Sequence, residues 1–261
     1  MIPKVIHYCW LSNDPIPQDL QTYMQTWKEK LSDYEFVLWN FDRFDINSSL
    51  WVKQAFENKK YAFAADYIRL YAVYNYGGIY MDMDIEVLKS FDDLLDAPLM
   101  LAYENEERSG IEAGCFGAEK GNPLIGECLS YYVNRPFIKA DGSFDTLPLP
   151  QIMIKYVQRY PEIKPFSKDY FTCKSTSDGK ITVTENSYSI HNFAGSWLTD
   201  DSRESLALHQ KVFSKIKNHL LANVIFYSLR FFQRVKKHGL IGGLSYFCKR
   251  YVLHKQIFGA Q

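Results

Sequence analysis

The 261-residue sequence has no cysteine pair spaced to clamp a metal or close a loop. Cys9, Cys115, Cys128, Cys173 and Cys248 are odd in number, far apart and free of any CxxC motif. That usage argues against a zinc ribbon and a disulfide framework, and it suits reduced thiols in a reducing compartment. Net charge is also missing, with 30 Lys or Arg against 30 Asp or Glu, and no nucleic-acid-binding motif is recognised. Long apolar runs are absent too: the most apolar patch, around Leu220 to Leu229, is far short of a membrane span. The chain enters a strand-like run, Ile2 to Leu11, without a basic segment leading into an apolar stretch, so no signal peptide is expected. There is no repeat or low-complexity stretch. The expected location is cytoplasmic, either free or peripheral on the inner face of the membrane. With 47% hydrophobic and 16% aromatic residues, the chain can bury a large core, and one domain plus an extension is expected.

The zero net charge conceals an asymmetry. Residues 202–261 carry eleven Lys or Arg against one acid, Glu204, a net +10, whereas the first 201 residues carry nineteen basic against twenty-nine acidic residues, a net −10. The expected division is therefore 1–201 and 202–261. Along the first part, strand-like runs at Val5 to Cys9, Glu35 to Trp39, Leu99 to Tyr103, Cys115 to Ala118, Ile181 to Thr184 and Ser189 to Phe193 alternate with helical stretches. The helices are expected at Gln18 to Leu31, Asp45 to Lys59, Ala62 to Tyr76, Pro123 to Val133 and Leu149 to Arg159. This alternation predicts an α/β sheet. The polar stretches Glu104 to Ala113 and Lys139 to Thr146 suit an acceptor-side rim.

The most informative segment is Gly77-Gly78-Ile79-Tyr80-Met81-Asp82-Met83-Asp84-Ile85-Glu86-Val87. Read as a strand, it points Ile79, Met81, Met83, Ile85 and Val87 one way and Tyr80, Asp82, Asp84 and Glu86 the other. Acids two residues apart on a strand sit roughly 6 to 7 Å from each other and raise each other's pKa unless a cation intervenes. Oxygen ligands favour a hard ion such as Mg²⁺ or Mn²⁺. The same spacing also fits a solvated edge strand. Just upstream, Asp66 and Arg69 stand i, i+3 on a helix that is apolar nearly all round through Ala64, Ala65, Ile68, Leu70, Tyr71, Ala72 and Val73. Such a helix is expected to be buried, so its charges need partners. A hydroxyl-rich or phosphate-bearing ligand is one such partner, and a surface ion pair is the plain alternative.

Taken together, Ala65-Asp66-Tyr67-Ile68-Arg69 and Tyr76-Gly77-Gly78-Ile79-Tyr80-Met81-Asp82-Met83-Asp84 resemble the sugar-binding region of glycosyltransferase family 32, and also the corresponding block of the large clostridial glucosylating toxins. The opening Ile2-Pro3-Lys4-Val5-Ile6-His7-Tyr8-Cys9-Trp10 resembles the N-terminus of the family's bacterial capsular-polysaccharide members. His191-Asn192-Phe193-Ala194-Gly195-Ser196-Trp197 resembles their His-x-x-x-Gly-Ser-Trp segment. The resemblance covers about residues 1–200 and says nothing of the tail.

This resemblance implies a GT-A type fold with a central mixed, mostly parallel sheet flanked by helices. It also implies a nucleotide-sugar donor, a divalent cation (Mn²⁺ or Mg²⁺) and transfer of a hexose with retention. By position, Asp84 is the expected direct metal ligand, and Asp82 is shared between the metal and the donor. Asp66 and Arg69 are expected to hold the donor sugar, with Asp66, Arg69, Asp82 and Asp84 forming the catalytic set. Trp10 lies by the nucleobase, His191 completes the metal or diphosphate site, and Ser196 and Trp197 donate to the diphosphate. Core packing is the competing reading for Trp10, His191 and Trp197, and Glu86 is left outside the site. The implied retaining route is front-face, so no nucleophile is named. A UDP-sugar is the first expectation for the donor and a GDP-sugar the second. The expected acceptor is a saccharide or lipid-linked oligosaccharide in capsular or surface polysaccharide synthesis. The competing function is a nucleotide-sugar or membrane-surface binding protein without transfer activity.

In the tail, Leu221, Val224, Ile225, Phe231, Phe232 and Val235 recur at helical spacing beside Arg230, Arg234, Lys236 and Lys237. Gly239, Gly242 and Gly243 are expected to interrupt the helix before a second basic and aromatic segment. An amphipathic surface for anionic lipid headgroups fits this composition, as does a helical extension packed on the acidic domain.

Overall fold

Short runs rich in β-branched and aromatic residues form the central strands β1 (Val5–Cys9) and β2 (Glu35–Trp39). The computed structural model describes residues 1–175, 178–194 and 200–258. Its contacts divide the chain into one unit of Met1–Ser175 with Ile181–Trp197 and a second of Thr176–Lys180 with Leu198–Gln261.

In the first unit, α1 (Gln18–Lys30) links β1 to β2. The expected helix at 45–59 is instead a short 3₁₀ turn, Ile46–Ser48, followed by α2 (Leu50–Glu57). Ser49 makes the break: it is extended, and its hydroxyl accepts from Val52 N at 3.3 Å, which caps the new helix. Next come α3 (Tyr61–Tyr76), β3 (Gly78–Met81), β4 (Ile85–Val87), β5 (Leu99–Met100), β6 (Cys115–Ala118), α4 (Pro123–Ser130), α5 (Leu149–Val157) and β7 (Ser189–His191). The stretch Ile181–Thr184 forms no strand and contributes a single bridge, Ile181 with Lys174.

The sheet order is β2-β1-β3-β6-β5. β1 pairs in parallel with β2 and β3, and β6 runs antiparallel to both β3 and β5, so four of the five strands point one way. Helices cover both faces. Trp39, Tyr80 and Phe116 pack with α2, α3, α4 and α5 on one side, and Ile6, Ile79 and Met81 pack with Leu20 and Trp27 of α1 on the other. This is a mixed, mostly parallel α/β sheet flanked by helices, as expected.

The second unit holds α6 (Asp200–Phe213) and α7 (His219–Phe258). Val212, Ala222 and Phe226 bury together, and the buried Arg230 donates to Asp201 Oδ1 at 3.1 Å. Of the three glycines expected to interrupt α7, only Gly239 has non-helical backbone angles. A helix tolerates glycine at a cost of about 1 kcal/mol each. Among the described residues, no helix is long and apolar enough to cross a membrane.

The turn from α3 into β3 depends on two glycines. Gly77 ends the helix with φ +69 and donates to Val73 O at 2.9 Å. Gly78 has φ +104, and a Cβ there would meet Val5 O at 2.6 Å. Gly78→Ala is therefore expected to lower unfolding free energy by at least about 2 kcal/mol, from backbone strain plus displacement of β1. Gly142→Ala, at φ +79 with nothing within 4 Å, should cost only about 1 kcal/mol. Denaturant melts of the two variants measure the difference.

Candidate functional site

Three stretches of chain converge just beyond Met81. The acidic strand expected within Gly77 to Val87 is broken there. β3 ends as Asp82 N donates to Gly114 O at 2.7 Å, and Ile85 N turns back to Asp82 O at 3.1 Å. The chain then joins a second sheet, in which β4 pairs antiparallel with β7 and Ile85 stands opposite His191. Alternating burial survives the break: Met81, Met83, Ile85 and Val87 are buried, while Asp82, Asp84 and Glu86 are partly open. The acids are nonetheless presented by a turn between two sheets and not by one strand.

That turn brings distant residues together. Asn192 N donates to Asp84 O at 3.0 Å, and Ala194 N donates to Asp84 Oδ2 at 2.7 Å. His191 Nε2 lies 3.5 Å from Asp84 Oδ1. One ligand atom each from Asp82, Asp84 and His191 lies within 4.8 Å of the other two. Two carboxylates and an imidazole suit a divalent cation such as Mn²⁺, which accepts both oxygen and nitrogen donors. The residues present therefore fit the cation expected from the sequence.

Asp66 and Arg69 reach the same place from α3. Both are buried, at 8% and 6% exposure, as the all-round apolar helix predicts. The Arg69 guanidinium lies 3.4 Å from Asp66 Oδ1 and 3.3 Å from Asp82 Oδ2, and it donates to Ala113 O at 2.7 Å. It also lies over the Tyr80 ring at 4.6 Å. Tyr80 in turn donates to Asp82 Oδ1 at 2.8 Å. Arg69 is thus a clamp between two carboxylates, and the surface ion pair is excluded by its burial.

Sequence reasoning missed Glu112. It falls at the end of a stretch expected to be a polar rim, yet Gly110, Ile111, Glu112 and Ala113 are all buried. Glu112 Oε1 lies 3.0 Å from His191 Nδ1 and accepts from Gly114 N at 2.6 Å, and Oε2 accepts from Thr172 Oγ1. Nothing in the local pattern distinguishes this acid from Glu104 or Glu106. Its environment comes from His191 and Thr172, both distant in sequence.

Burial and charge set the protonation of the cluster. Burial raises the Asp66 carboxyl to about 6, with Arg69 opposing and Asp82 adding to the shift. Asp84 is raised by burial against the opposing charge of His191. His191 would be lowered by burial, but Glu112 and Asp84 raise it to about 10. Glu112 is buried yet held below its ordinary value by His191, Thr172 and the Gly114 N–H.

The remaining predicted residues are placed as follows. Trp10 follows β1, which runs parallel to β3 in the register Ile6 to Ile79, so Trp10 and Asp82 leave the sheet at the same edge. Its indole N–H donates to Asp14 O at 2.8 Å. Ser196 and Trp197 lie outside the described residues. Glu86 pairs opposite Ile190 in the second sheet.

Comparison with known proteins finds a matching family and several relatives. Residues 17–100 match the family described as "Glycosyltransferase sugar-binding region containing DXD motif". The chain is 31% identical over 128 residues to inositol phosphoceramide mannosyltransferase 3 of Schizosaccharomyces pombe, covering 48% of this chain and 35% of that protein. It is 26% identical over 239 residues to mannosyl phosphorylinositol ceramide synthase SUR1 of Saccharomyces cerevisiae, covering 86% of this chain and 57% of that protein. The chain thus spans about a third to somewhat over half the length of these relatives. Among solved structures, the PaToxG glycosyltransferase aligns with a TM-score of 0.48 at 20% identity, over 61% of this chain and 70% of that one. The matched residues 17–100 include Asp66, Arg69, Asp82 and Asp84.

Asp66 generates a pH prediction. Its folded value of about 6 lies above the ordinary 3.8, so its contribution to stability is full below about pH 4 and is lost as pH rises through 6. Asp66→Asn removes the ionised form. Its stability relative to the parent should therefore rise between pH 4 and pH 7, by about 1 to 3 kcal/mol. Urea melts at the two pH values test this, and a constant difference would contradict it.

Proposed function

We propose that this chain is a metal-dependent, retaining glycosyltransferase that moves a hexose from a nucleotide-sugar to a saccharide or lipid-linked acceptor. The observation that carries this reading is the convergence of Asp82, Asp84 and His191 within 4.8 Å beside the buried Asp66 and Arg69. In this reading Asp84 and His191 would hold the cation, with Asp82 shared between cation and donor. A bound cation supplies charge neutralisation for the departing diphosphate. Asp66, buried and with an elevated pKa, accepts from donor-sugar hydroxyls. Arg69 keeps Asp66 and Asp82 apart and oriented. Trp10 supplies a stacking face for the base, and Ser196 and Trp197 donate to the diphosphate.

A UDP-sugar follows from the resemblance to capsule enzymes, and the mannosyl names of the relatives bring a GDP-sugar level with it. The proposed setting is capsular or surface polysaccharide synthesis at the cytoplasmic side of a membrane. The relatives' names add a phosphorylinositol-bearing lipid as a competing acceptor. A panel of UDP- and GDP-sugars should show Mn²⁺- or Mg²⁺-dependent nucleotide release with one donor. Asp84→Ala should reduce it at least about 100-fold, the loss that several kcal/mol of charge stabilisation represents. Saturable donor binding with no nucleotide release under any condition would favour the binding-protein alternative. Unchanged turnover in Asp84→Ala would reject the site.

For residues 202–261 we propose contact with an anionic bilayer. On α7, Leu220, Leu221, Val224 and Phe232 are exposed, Leu220 at 77% and Phe232 at 67%, on the side opposite the buried Ala222, Phe226 and Arg230. Lys236 and Lys237 follow directly, and each basic residue near such a surface is worth about 1 kcal/mol. The full chain should float with phosphatidylserine liposomes, and the pair Val224→Glu and Phe232→Glu should lose most of that binding. Equal flotation of parent and double variant would overturn the assignment.

A further inference from the structure

His191 is a weak cation ligand unless something decides which ring nitrogen faces the ion. We propose that Glu112 is the positioning residue that fixes the His191 ring, with Nδ1 turned inward and Nε2 presented to the cation beside Asp84. This rests on the cation reading above and assigns Glu112 no contact with donor or acceptor.

The geometry leaves Glu112 little other role. It is 2% exposed, and both of its oxygens are occupied. Oε1 faces His191 Nδ1 at 3.0 Å and accepts from Gly114 N at 2.6 Å, while Oε2 accepts from Thr172 Oγ1. A carboxylate only accepts, so its partner on the ring must be an N–H. Nδ1 therefore carries a proton whether or not an ion is present, and Nε2, 3.5 Å from Asp84 Oδ1, is the nitrogen that would give up its proton to an ion. A carboxylate behind a ligating imidazole orients the ring and strengthens it as a donor.

Two further features lock the ring. Phe193 stacks on it with centroids 4.2 Å apart, and Phe193 adopts φ +51, in the left-handed region, where a bulky residue is strained. On another side, a Cβ at Gly114 would meet His191 Cε1 at 2.7 Å, Glu112 Oε1 at 2.8 Å and Asp82 Oδ2 at 2.9 Å. The ring, its carboxylate and one candidate ligand thus close around a position that only glycine fits. Held this way, His191 loses little rotational freedom when it binds an ion, because that freedom is already gone in the folded chain.

The test uses the full chain with Mn²⁺ alone, reading free Mn²⁺ by electron paramagnetic resonance, and follows the His191 Nδ1–H resonance by nitrogen-15 NMR. Glu112→Ala is expected to weaken Mn²⁺ binding about 10- to 100-fold and to abolish an exchange-protected Nδ1–H. Glu112→Gln keeps an acceptor oxygen without the charge, so it should restore part of both signals. It also serves as the deciding variant if Glu112→Ala does not fold. If Asp84→Ala loses Mn²⁺ while the folded Glu112 variants stay within twofold of the parent and keep the protected Nδ1–H, the assignment of Glu112 is overturned. If the parent binds Mn²⁺ no more tightly than Asp84→Ala, the cation reading falls, and the positioning role with it.

Discussion

Four carboxylates, Asp66, Asp82, Asp84 and Glu112, share one arginine and one histidine in the interior of this fold. Arg69 lies within 3.4 Å of Asp66 and within 3.3 Å of Asp82, and His191 lies within 3.5 Å of Asp84 and 3.0 Å of Glu112. With all six ionised, the group carries excess negative charge in a poorly solvated place. Desolvation of such groups is costly unless each is paired. The protein meets part of that cost through hydrogen bonds from Tyr80, Thr172, Gly114 and Ala194. The remainder appears as the raised pKa values of Asp66 and Asp84. A cation is the ligand such a deficit favours, because it removes the repulsion without requiring a proton to move.

The deficit can be sustained because the backbone around it is over-determined. β3 is held on one side by β1 and on the other by β6, and β4 is held by β7. The turn between β3 and β4 is therefore fixed at both ends by different sheets. Its few residues present Asp82 to α3 and Asp84 to β7. The buried Trp27 of α1 adds a further tie, donating to Ile85 O at 2.6 Å. A continuous strand would have pointed both acids to one face of one sheet. The break lets one take the arginine as partner and the other the histidine.

Much of this was legible in the sequence, and the failures have physical causes. β1, β2, β6 and α3 follow from patterns that span each whole element, so local preference and burial agree. The helix expected at 45–59 failed at Ser49, where a hydroxyl made a new cap inside an otherwise continuous pattern. The strand expected within 77–87 failed because alternation records which side chains are buried, and that alternation continues through a turn. Asp66, Arg69, Asp82, Asp84 and His191 could be found because they sit in blocks with a recognisable order. Glu112 could not, since its two defining partners, His191 and Thr172, are distant in sequence and meet it only once β7 lies beside β4.

The geometry also bears on Arg69. Read from motifs alone, Arg69 helps Asp66 to hold the donor sugar. In the fold Arg69 is 6% exposed and its guanidinium already sits between two carboxylates, with a further donation to Ala113 O. A charge matched in this way projects little field outward, because Asp66 and Asp82 lie closer to it than any diphosphate outside the buried cluster could. Its effect is to hold the Asp82 carboxylate in place together with Tyr80. In the proposed enzyme, positive charge for the leaving group must then come from the cation held by Asp84 and His191. Catalysis would accordingly depend more steeply on cation binding, and on the residues that orient the cation's ligands, than on Arg69 as a direct contact.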